Sequence, residues 1–526
     1  MNMLDRSGGR FHVSAVKLML AAGGAFPSLA IGQLYPSTPN WVSADKQVST
    51  GGALVDLNRD GWLDLVVSNG NDISRQRVVA YYNTGLGTFQ TSPGWQSADI
   101  AYHGHLDVAD VNGDGWPDIA VAVLLTEGGK SAKVYFNNNG TLSTTAGWIS
   151  SITAYTFGVA FGDMNGDGRP DLALASGDAY GNVPAINVVY ANTGTTLSST
   201  PTWQTSSTRN YNNCFWMDAD RDGLLDLVQC GSNSQTHIYR NLGTTLATTP
   251  SWSTTDVAAQ FCLMGTAGDV TGDGLRDLVI ADNNQIFGGS GRFRRYTGQA
   301  AGYFGTSASW TYSDGYTSAV ALGDLDNDGD LDLCTGEWFG RTRYFLNTGT
   351  TFPASPSWTS GTTSTVERLC LGDVNNSSLK VREAVFAPAG SSKLFHLPIQ
   401  PVQQVLSVTR DGVELAPNEY IANLEFGWIA INAVPTTEVR VTYIQSRSLD
   451  LAVTNWDSTQ PNYLFLNTIT PPCPSDVDGS GFVDIEDYSA FVLAFEAGSP
   501  TADFDVSGFV DTEDFDAFVE AFEGGC

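Results

Sequence analysis

Asp56-Leu-Asn58-Arg-Asp60-Gly61-Trp-Leu-Asp64, followed at once by Leu65-Val66-Val67, is the stretch from which the fold of this chain is read. Oxygens at positions 1, 3, 5 and 9 of a tight turn can converge on one hard cation. Glycine at position 6 permits the bend, and the carbonyl at position 7 can add a ligand. All-oxygen ligation suits Ca²⁺ or, less comfortably, Mg²⁺, and argues against zinc. One copy would read equally well as an Asp-rich β-turn. The pattern, however, returns at Asp110, Asn112, Asp114, Asp118 and at Asp163, Asn165, Asp167, Asp171. It returns again at Asp218, Asp220, Asp222, Asp226, at Asp269, Thr271, Asp273, Asp277 and at Asp324, Asp326, Asp328, Asp332. The starts are 54, 53, 55, 51 and 55 residues apart. An eroded seventh start, Asp373-Val374-Asn375, lies 49 residues further on, without the glycine and later acids. Six loops on one period point to metal binding rather than to turn composition.

Other features keep the same beat. A tryptophan closes each unit (Trp41, Trp95, Trp148, Trp203, Trp252, Trp310, Trp358), usually after a Thr/Ser/Pro-rich step. An apolar run follows each acidic loop, then an aromatic strand ending in Asn-Thr-Gly or a variant, as in Tyr344-Phe-Leu-Asn347-Thr-Gly349. Such short runs, bounded by Gly, Asn and Asp, read as strands. A unit of about 50 residues with several strands has the size of a propeller blade. The expected fold is mainly β: a seven-bladed β-propeller over 33–397. The loops followed by Asp-Leu-Val-Val resemble the FG-GAP/VCBS repeats of integrin-α-like propellers. The resemblance implies that the cations brace the blades, and that ligands are recognised by loops, often on the opposite face.

Residues 398–447 break the beat. Val405–Val413, Trp428–Val434 and Val439–Ile444 alternate like strands, with Asp411-Gly412 as a hairpin turn. Residues 448–470 then resume the blade pattern and run into a linker. The two readings are a β insertion in the seventh blade and a module followed by a partial eighth. The insertion is preferred, because no acidic loop precedes Leu449.

Pro471-Pro472 marks a boundary, and 473–526 is a different module. Asp476, Asp478, Ser480, Gly481, Asp484 and Asp487 fill positions 1, 3, 5, 6, 9 and 12 of a calcium loop. Asp503, Asp505, Ser507, Gly508, Asp511 and Asp514 repeat it 27 residues later. Each loop runs into an amphipathic helix whose phenylalanines, Phe491 with Phe495 and Phe518 with Phe522, fall four apart and read as core. The duplicated half EF-hands and the terminal Gly525-Cys526 resemble a type I dockerin of the GC-ending kind. That resemblance implies calcium-dependent folding and docking onto a cohesin-like or cell-surface protein. Ile485-Glu486 and Thr512-Glu513 depart from the usual hydroxyl pair, so calcium carries over better than the partner.

The chain of 526 residues carries 56 acids against 26 bases, a formal net charge of −30. Such charge disfavours nucleic acid, while 42% hydrophobic residues suffice for packed cores. The six propeller loops and two terminal loops hold 28 of the acids. Eight Ca²⁺ ions, six in the propeller and two in the tail, would raise the formal charge by 16, to −14. Residues 1–32 read as an export signal: Arg6, Arg10 and Lys17 precede the apolar run Leu18–Gly32. No later stretch reaches the length of a membrane span, so the expected location is extracellular or cell-surface. The seven cysteines suit an oxidising compartment. Cys473 with Cys526, and Cys214 with Cys230, are the candidate pairs; Cys262, Cys334 and Cys370 read as small buried residues.

No catalytic constellation stands out: there is no Gly-x-Ser-x-Gly, His-Glu-x-x-His, Walker or Rossmann motif. His103 and His105 read as surface or satisfied residues. Glu337-Trp338-Phe339 with Arg341 and Arg343, and the group Arg292, Arg294, Arg295, read as loops able to touch a sugar or acidic ligand, or as solvated loops without a function. Two functions compete. The first is a recognition or scaffold protein presenting propeller loops to a polysaccharide or protein ligand, tethered by its tail. The second is an extracellular carbohydrate-active enzyme, a polysaccharide hydrolase or lyase. An acid pair on the face opposite the acidic loops favours the enzyme; exposed aromatics without such a pair favour binding.

Overall fold

Each acidic loop joins two antiparallel strands. In the first unit Ser49–Val55 pairs with Asp64–Asn69, which pairs with Val79–Tyr81, which pairs with Trp95–Gln96. The second strand of this meander is buried along its whole length, as a continuous Leu-Val-Val run demands when sheets cover both its faces. The computed structural model describes residues 33–124, 130–388, 390–469, 474–477 and 483–524. The expected export segment 1–32, Pro471-Pro472, Cys473, Asp478, Ser480, Gly481, Gly525 and Cys526 lie outside the described residues.

The same meander recurs with first strands His103–Ala109, Thr156–Gly162, Tyr211–Met217, Gln260–Gly268, Tyr316–Gly323 and Val366–Gly372. Each first strand touches the first strand of the next unit, and Val366–Gly372 touches Ser49–Val55, so the ring closes. Near the axis there is little room. A Cβ on Gly51 would meet the Leu106 backbone nitrogen at 2.8 Å, and one on Gly104 would meet Phe157 O at 2.3 Å. Every first strand also carries a register shift at its start, and bulges of this kind re-aim side chains beside functional surfaces.

Closure uses both ends of the described chain. Val366–Gly372 pairs with Asp450–Asn455, that strand with Tyr463–Phe465, and the fourth place is taken by Trp41–Val42. The segment between Gly372 and Asp450 is therefore an insertion between two adjacent strands. Its boundary differs from the expected 398–447. Leu379–Phe386 pairs with Val439–Ser446, and Leu394–His396 pairs with Trp428–Ile431. Both segments were counted with the propeller in the 33–397 reading. Their alternation resembles a blade strand, and only the pairing partner distinguishes them. Within the insertion Asp411 and Gly412 turn the Gln404–Arg410 hairpin with φ of 55° and 77°, the geometry of a two-residue primed turn.

Two sets of contacts lock neighbouring meanders. The outer-strand tryptophans pack edge-on against an aromatic of the next unit: Trp41 on Tyr81, Trp95 on Tyr135, Trp148 on Tyr190, Trp203 on Tyr239 and Trp252 on Tyr296. Trp95, Trp203 and Trp252 also donate their indole N–H to Leu142 O, Leu246 O and Phe304 O at 2.8–3.0 Å.

The second set is polar. The position-9 aspartate of each loop accepts two backbone N–H groups, one from loop position 2 and one from the end of the third strand. Asp171 takes Met164 N at 2.9 Å and Asn192 N at 2.7 Å. The Asn192 amide then donates to Val111 O at 2.8 Å, at position 2 of the preceding loop. Asn83, Asn137, Asn241, Asn347 and Asn467 do the same towards Val374, Leu57, Met164, Val270 and Leu325. The fifth unit has Gly298 there, where a Cβ would meet Arg276 O at 2.5 Å. Its missing amide is replaced by the Tyr303 N–H, which reaches Ala219 O at 2.7 Å.

The tail consists of α1, Ile485–Glu496, and α2, Thr512–Gly524. Phe491 and Phe518 stack at 4.0 Å and are 2% and 0% exposed, as helical spacing predicts for an inter-helix core. Lys380 of the insertion donates to Pro474 O at 3.2 Å. Cys214 and Cys230 are free and buried, and the register sets Cys214 opposite Gln229 and Asn213 opposite Cys230, so the expected bridge is corrected. Cys262, Cys334 and Cys370 are buried and free.

Replacing Asn192 by alanine strands Val111 O in the core at a cost of about 1–3 kcal/mol. The expected result is a clearly lower thermal midpoint than wild type. An unchanged midpoint would mean that the inter-unit amide contributes nothing to the ring.

Candidate functional site

The loops are wound so that their side-chain oxygens face inward. Asp56 accepts Asp60 N at 3.2 Å and Gly61 N at 2.9 Å, Asn58 accepts Asp60 N at 3.0 Å, and Asp60 accepts Trp62 N at 3.0 Å. Gly61 holds φ at 84°, which only glycine adopts without strain. Asp110 with Asn112 and Asp114, and Asp163 with Asn165 and Asp167, repeat these bonds. Asp269 and Asp273 keep the turn with Thr271 between them.

Carboxylate oxygens of Asp218, Asp220 and Asp226 lie within 4.8 Å of one another; so do those of Asp324, Asp326 and Asp332, and of Asp503, Asp505 and Asp514. In the remaining described loops no such acid trio forms, and an amide or hydroxyl occupies position 3 in the propeller copies. Asp222, Asp328 and Asp511 stand outside these trios. In the first tail loop Asp487 accepts Val477 N at 2.7 Å and Asp484 N at 2.9 Å.

Burial without a compensating base raises the acids. Asp64 is pushed up to about 7 and Asp118, Asp226 and Asp332 to about 8, against an ordinary 3.8. Asp171 rises well above its ordinary value for the same reason, and Asp324 and Asp326 reach about 6. Asp324 Oδ1, Asp326 Oδ1 and Thr271 Oγ1 are buried and hydrogen-bond to nothing within the protein. Crowded carboxylates and orphaned oxygens form a donor set that fits a hard divalent cation. The fourth loop differs: Arg240 pairs with Asp220 at 2.6 Å and with Asp222 at 3.0 Å.

The eroded seventh loop keeps more than its sequence suggests. Asp373 still accepts Ser377 N and Ser378 N at 3.0 Å. The position-9 acid comes from across the insertion: Asp450 accepts Val374 N at 2.8 Å and Asn467 N at 2.8 Å. Asp450 and the six clasp asparagines were missed as functional positions. The usable signals were the Asn-Thr-Gly ending and the Asp-Leu-Ala-Val run at 450–453.

The insertion lies against the loop side of the ring. Lys393 donates to Gly166 O at 2.6 Å in the third loop, and Arg276 of the fifth loop bonds Gln400 Oε1 at 2.8 Å and Phe426 O at 3.1 Å. Asn327 of the sixth loop reaches Arg447 O at 2.7 Å. Residues Val402, Tyr420 and Leu424 of the insertion line a cavity of about 320 Å³ with the loop ends of the first strands.

The opposite end of the ring has another character. There Asn71, Asp72, Phe157, Asp178, Tyr180, Asn212, Phe261, Trp338 and Trp456 line a cavity of about 210 Å³. Glu367 is fully buried behind it, accepts the Trp338 indole at 2.6 Å, and is raised to about 8 by burial, with Asp72 adding to the shift. This face therefore carries acids and aromatics together. Other expectations are corrected here. Of the two readings of His103 and His105 the surface one fails: they are 0% and 4% exposed, Nδ1 of each has a partner in Asn69 O at 3.0 Å and Asn213 Nδ2 at 3.4 Å, and burial lowers them to about 4 and 3. Glu337, Trp338 and Arg343 lie in strands rather than a solvated loop, with Arg343 paired to Glu337 at 2.7 Å. Arg294 and Arg295 are likewise buried, Arg294 between Asp256 and Asp282 at 3.1 Å, while Arg292 and Phe339 remain exposed.

The model of the FG-GAP-like repeat matches residues 56–121, 122–174, 163–229 and 269–335. No curated protein sequence matches the chain. Among solved structures, a chain from the crystal structure of BBS1N in complex with ARL6DN, soaked with lead, is similar at 10% identity and a TM-score of 0.40, covering 77% of this chain and 98% of the other. Sqt1 of Saccharomyces cerevisiae is similar at 10% identity and a TM-score of 0.42, covering 82% of this chain and 100% of that one. Among the described residues no helix is long and apolar enough to cross a membrane. The matched FG-GAP-like repeats lie in a closed ring of antiparallel meanders, the architecture of a β-propeller.

Proposed function

We propose that the protein is a secreted, calcium-braced recognition scaffold. Its seven-bladed propeller presents a glycan- or protein-binding surface away from the acidic loops, and its dockerin-like tail tethers it to a partner. One observation carries the reading. The acidic loops are part of the clasp between neighbouring units, so a cation there acts on the ring. A bound Ca²⁺ supplies the positive charge that the crowded carboxylates lack. The chain's own residues do the rest: the position-9 aspartate fixes the clasp asparagine, and the asparagine fixes the preceding loop. Arg240 takes part of that task in the fourth loop. The insertion lies against the loop side, which leaves the other mouth as the face for a ligand.

A second reading, an extracellular carbohydrate-active enzyme, is favoured by one feature. Glu367 holds its proton to about 8 beside Asp72, and unequal acids of this kind can divide proton donation and acceptance between them. Incubation of the calcium-loaded protein with immobilised polysaccharides separates the readings. Retention without chain cleavage is expected; cleavage lost in Glu367→Gln would favour the enzyme.

Chelation tests the brace. Binding to the folded form alone stabilises by about 2.7 kcal/mol per site when the ion stands at 100 times its Kd. Excess EDTA is expected to lower the propeller's melting temperature and to unfold 473–526. A melt that EDTA leaves unmoved would overturn the metal assignment.

The pH dependence has a definite sign. The folded pKa values of Asp64, Asp118, Asp226 and Asp332, about 7, 8, 8 and 8, lie above the ordinary 3.8. Protonation therefore stabilises the cation-free fold fully below about pH 4, and this stability is lost as pH rises through 7–8. In EDTA the melting temperature should fall from pH 5 to pH 8. The increment added by Ca²⁺ should grow over the same window, because protons compete for its ligands. A cation-free melt that rises with pH would contradict the burial of these acids.

A further inference from the structure

The mouth opposite the acidic loops contains more than an apolar hollow. Trp338 stacks on Trp456 at 4.9 Å and 25°, and stands edge-on to Phe261 at 6.3 Å; Tyr180 stands edge-on to Phe261 at 5.4 Å and is 61% exposed. Two residues that line the cavity each bury a hydrogen-bond donor with no partner among the described residues. The donors are the indole N–H of Trp456 and the side-chain amide Nδ2 of Asn212, a residue 5% exposed. Acceptors stand beside them: Asp72 and Asp178 line the same cavity, and Asp178 spends only Oδ1 on a backbone bond, to Gly181 N at 3.0 Å. Glu367 Oε1, just behind Trp338, is buried and also without a partner.

Buried donors and acceptors left unpaired cost free energy until a ligand or water meets them. A ligand suited to the lining residues has hydroxyls, which donate and accept at once, and an apolar face to lie against aromatic rings. Among the described residues no lysine or arginine lines the cavity, so a uronate or sulfated sugar would face the carboxyls unpaired. A simple ammonium would satisfy those carboxyls and leave both N–H donors stranded. We propose that this mouth is a binding subsite for one neutral saccharide ring, seated on the Trp338–Trp456 pair, with its hydroxyls bridging Asn212 and Trp456 to Asp72 and Asp178. The proposal rests on the recognition reading above and specifies its ligand.

The test uses the calcium-loaded full chain and the methyl glycosides of glucose, galactose, mannose, fucose and xylose, with methyl glucuronide and choline as charged probes. Saturable binding of at least one neutral glycoside is expected in calorimetry or saturation-transfer NMR, with no response to the charged probes. Trp456→Phe keeps a stacking ring and loses only the N–H, and should weaken binding about threefold to tenfold. Asn212→Ala should do the same, each variant melting within a few degrees of wild type. Binding of choline or the uronate, no binding of any neutral glycoside, or affinity unchanged in Trp456→Phe would each overturn the subsite. If both variants kept full retention on a glycan or protein ligand, the recognition reading would survive and this subsite would fall. Absence of retention on any such ligand would remove both.

Discussion

One buried carboxylate per unit holds this ring together. The position-9 aspartate stands at the first residue of each second strand, where it is cut off from solvent. It accepts one N–H from its own loop and one from the third strand. Fixing those two segments aims the asparagine amide at the preceding loop, so each unit is completed only against its neighbour. A lone blade would expose these groups to water and lose the directionality that makes the bonds worthwhile. The tryptophan contacts on the outer strands add apolar area at the same seams. Polar clasp and aromatic bolt therefore act on the same seam.

The insertion shows how tolerant that arrangement is. A segment running from Asn375 to Leu449 separates two residues, Val374 and Asp450, that still meet at 2.8 Å. The loop has lost its glycine and its middle acids, but the clasp acid persists. The inter-unit bond is thus kept where the glycine turn and the middle acid are not. The inserted sheets then lie over the loop side of the ring, anchored by Lys393, Arg276 and the partly exposed ion pair of Arg368 with Glu425.

Much of this was legible in the chain. A nearly constant period, an Asp followed by Leu or Ile at the start of each second strand and a tryptophan at each outer strand specify repeated meanders, because each feature has a fixed place in the unit. The insertion boundary was not legible. Leu379–Phe386 alternates like a blade strand, and nothing local says that it pairs with Val439–Ser446. The arginine clusters misled for a similar reason. Arg294 and Arg343 sit in short polar-rich segments that resemble loops, yet acidic partners more than ten residues or a whole loop away make their burial affordable. The channel mouth was invisible altogether. Asn71, Asp178, Asn212, Phe261, Trp338 and Trp456 lie in different units, and only the radial packing brings them to one cavity.

The fourth strand of the last meander comes from the far end of the described chain, with Trp41 facing Leu464. That pairing spans more than four hundred residues, so the final seam has by far the longest sequence separation of any in the ring. Local meanders can collapse quickly, whereas this seam must wait for a large chain loop to close. Until it does, the first and last sheets both offer unpaired edges. Closure of the ring is therefore the stage at which a folding chain is most exposed to pairing with another copy, and at which an assisting chaperone would have the most to protect.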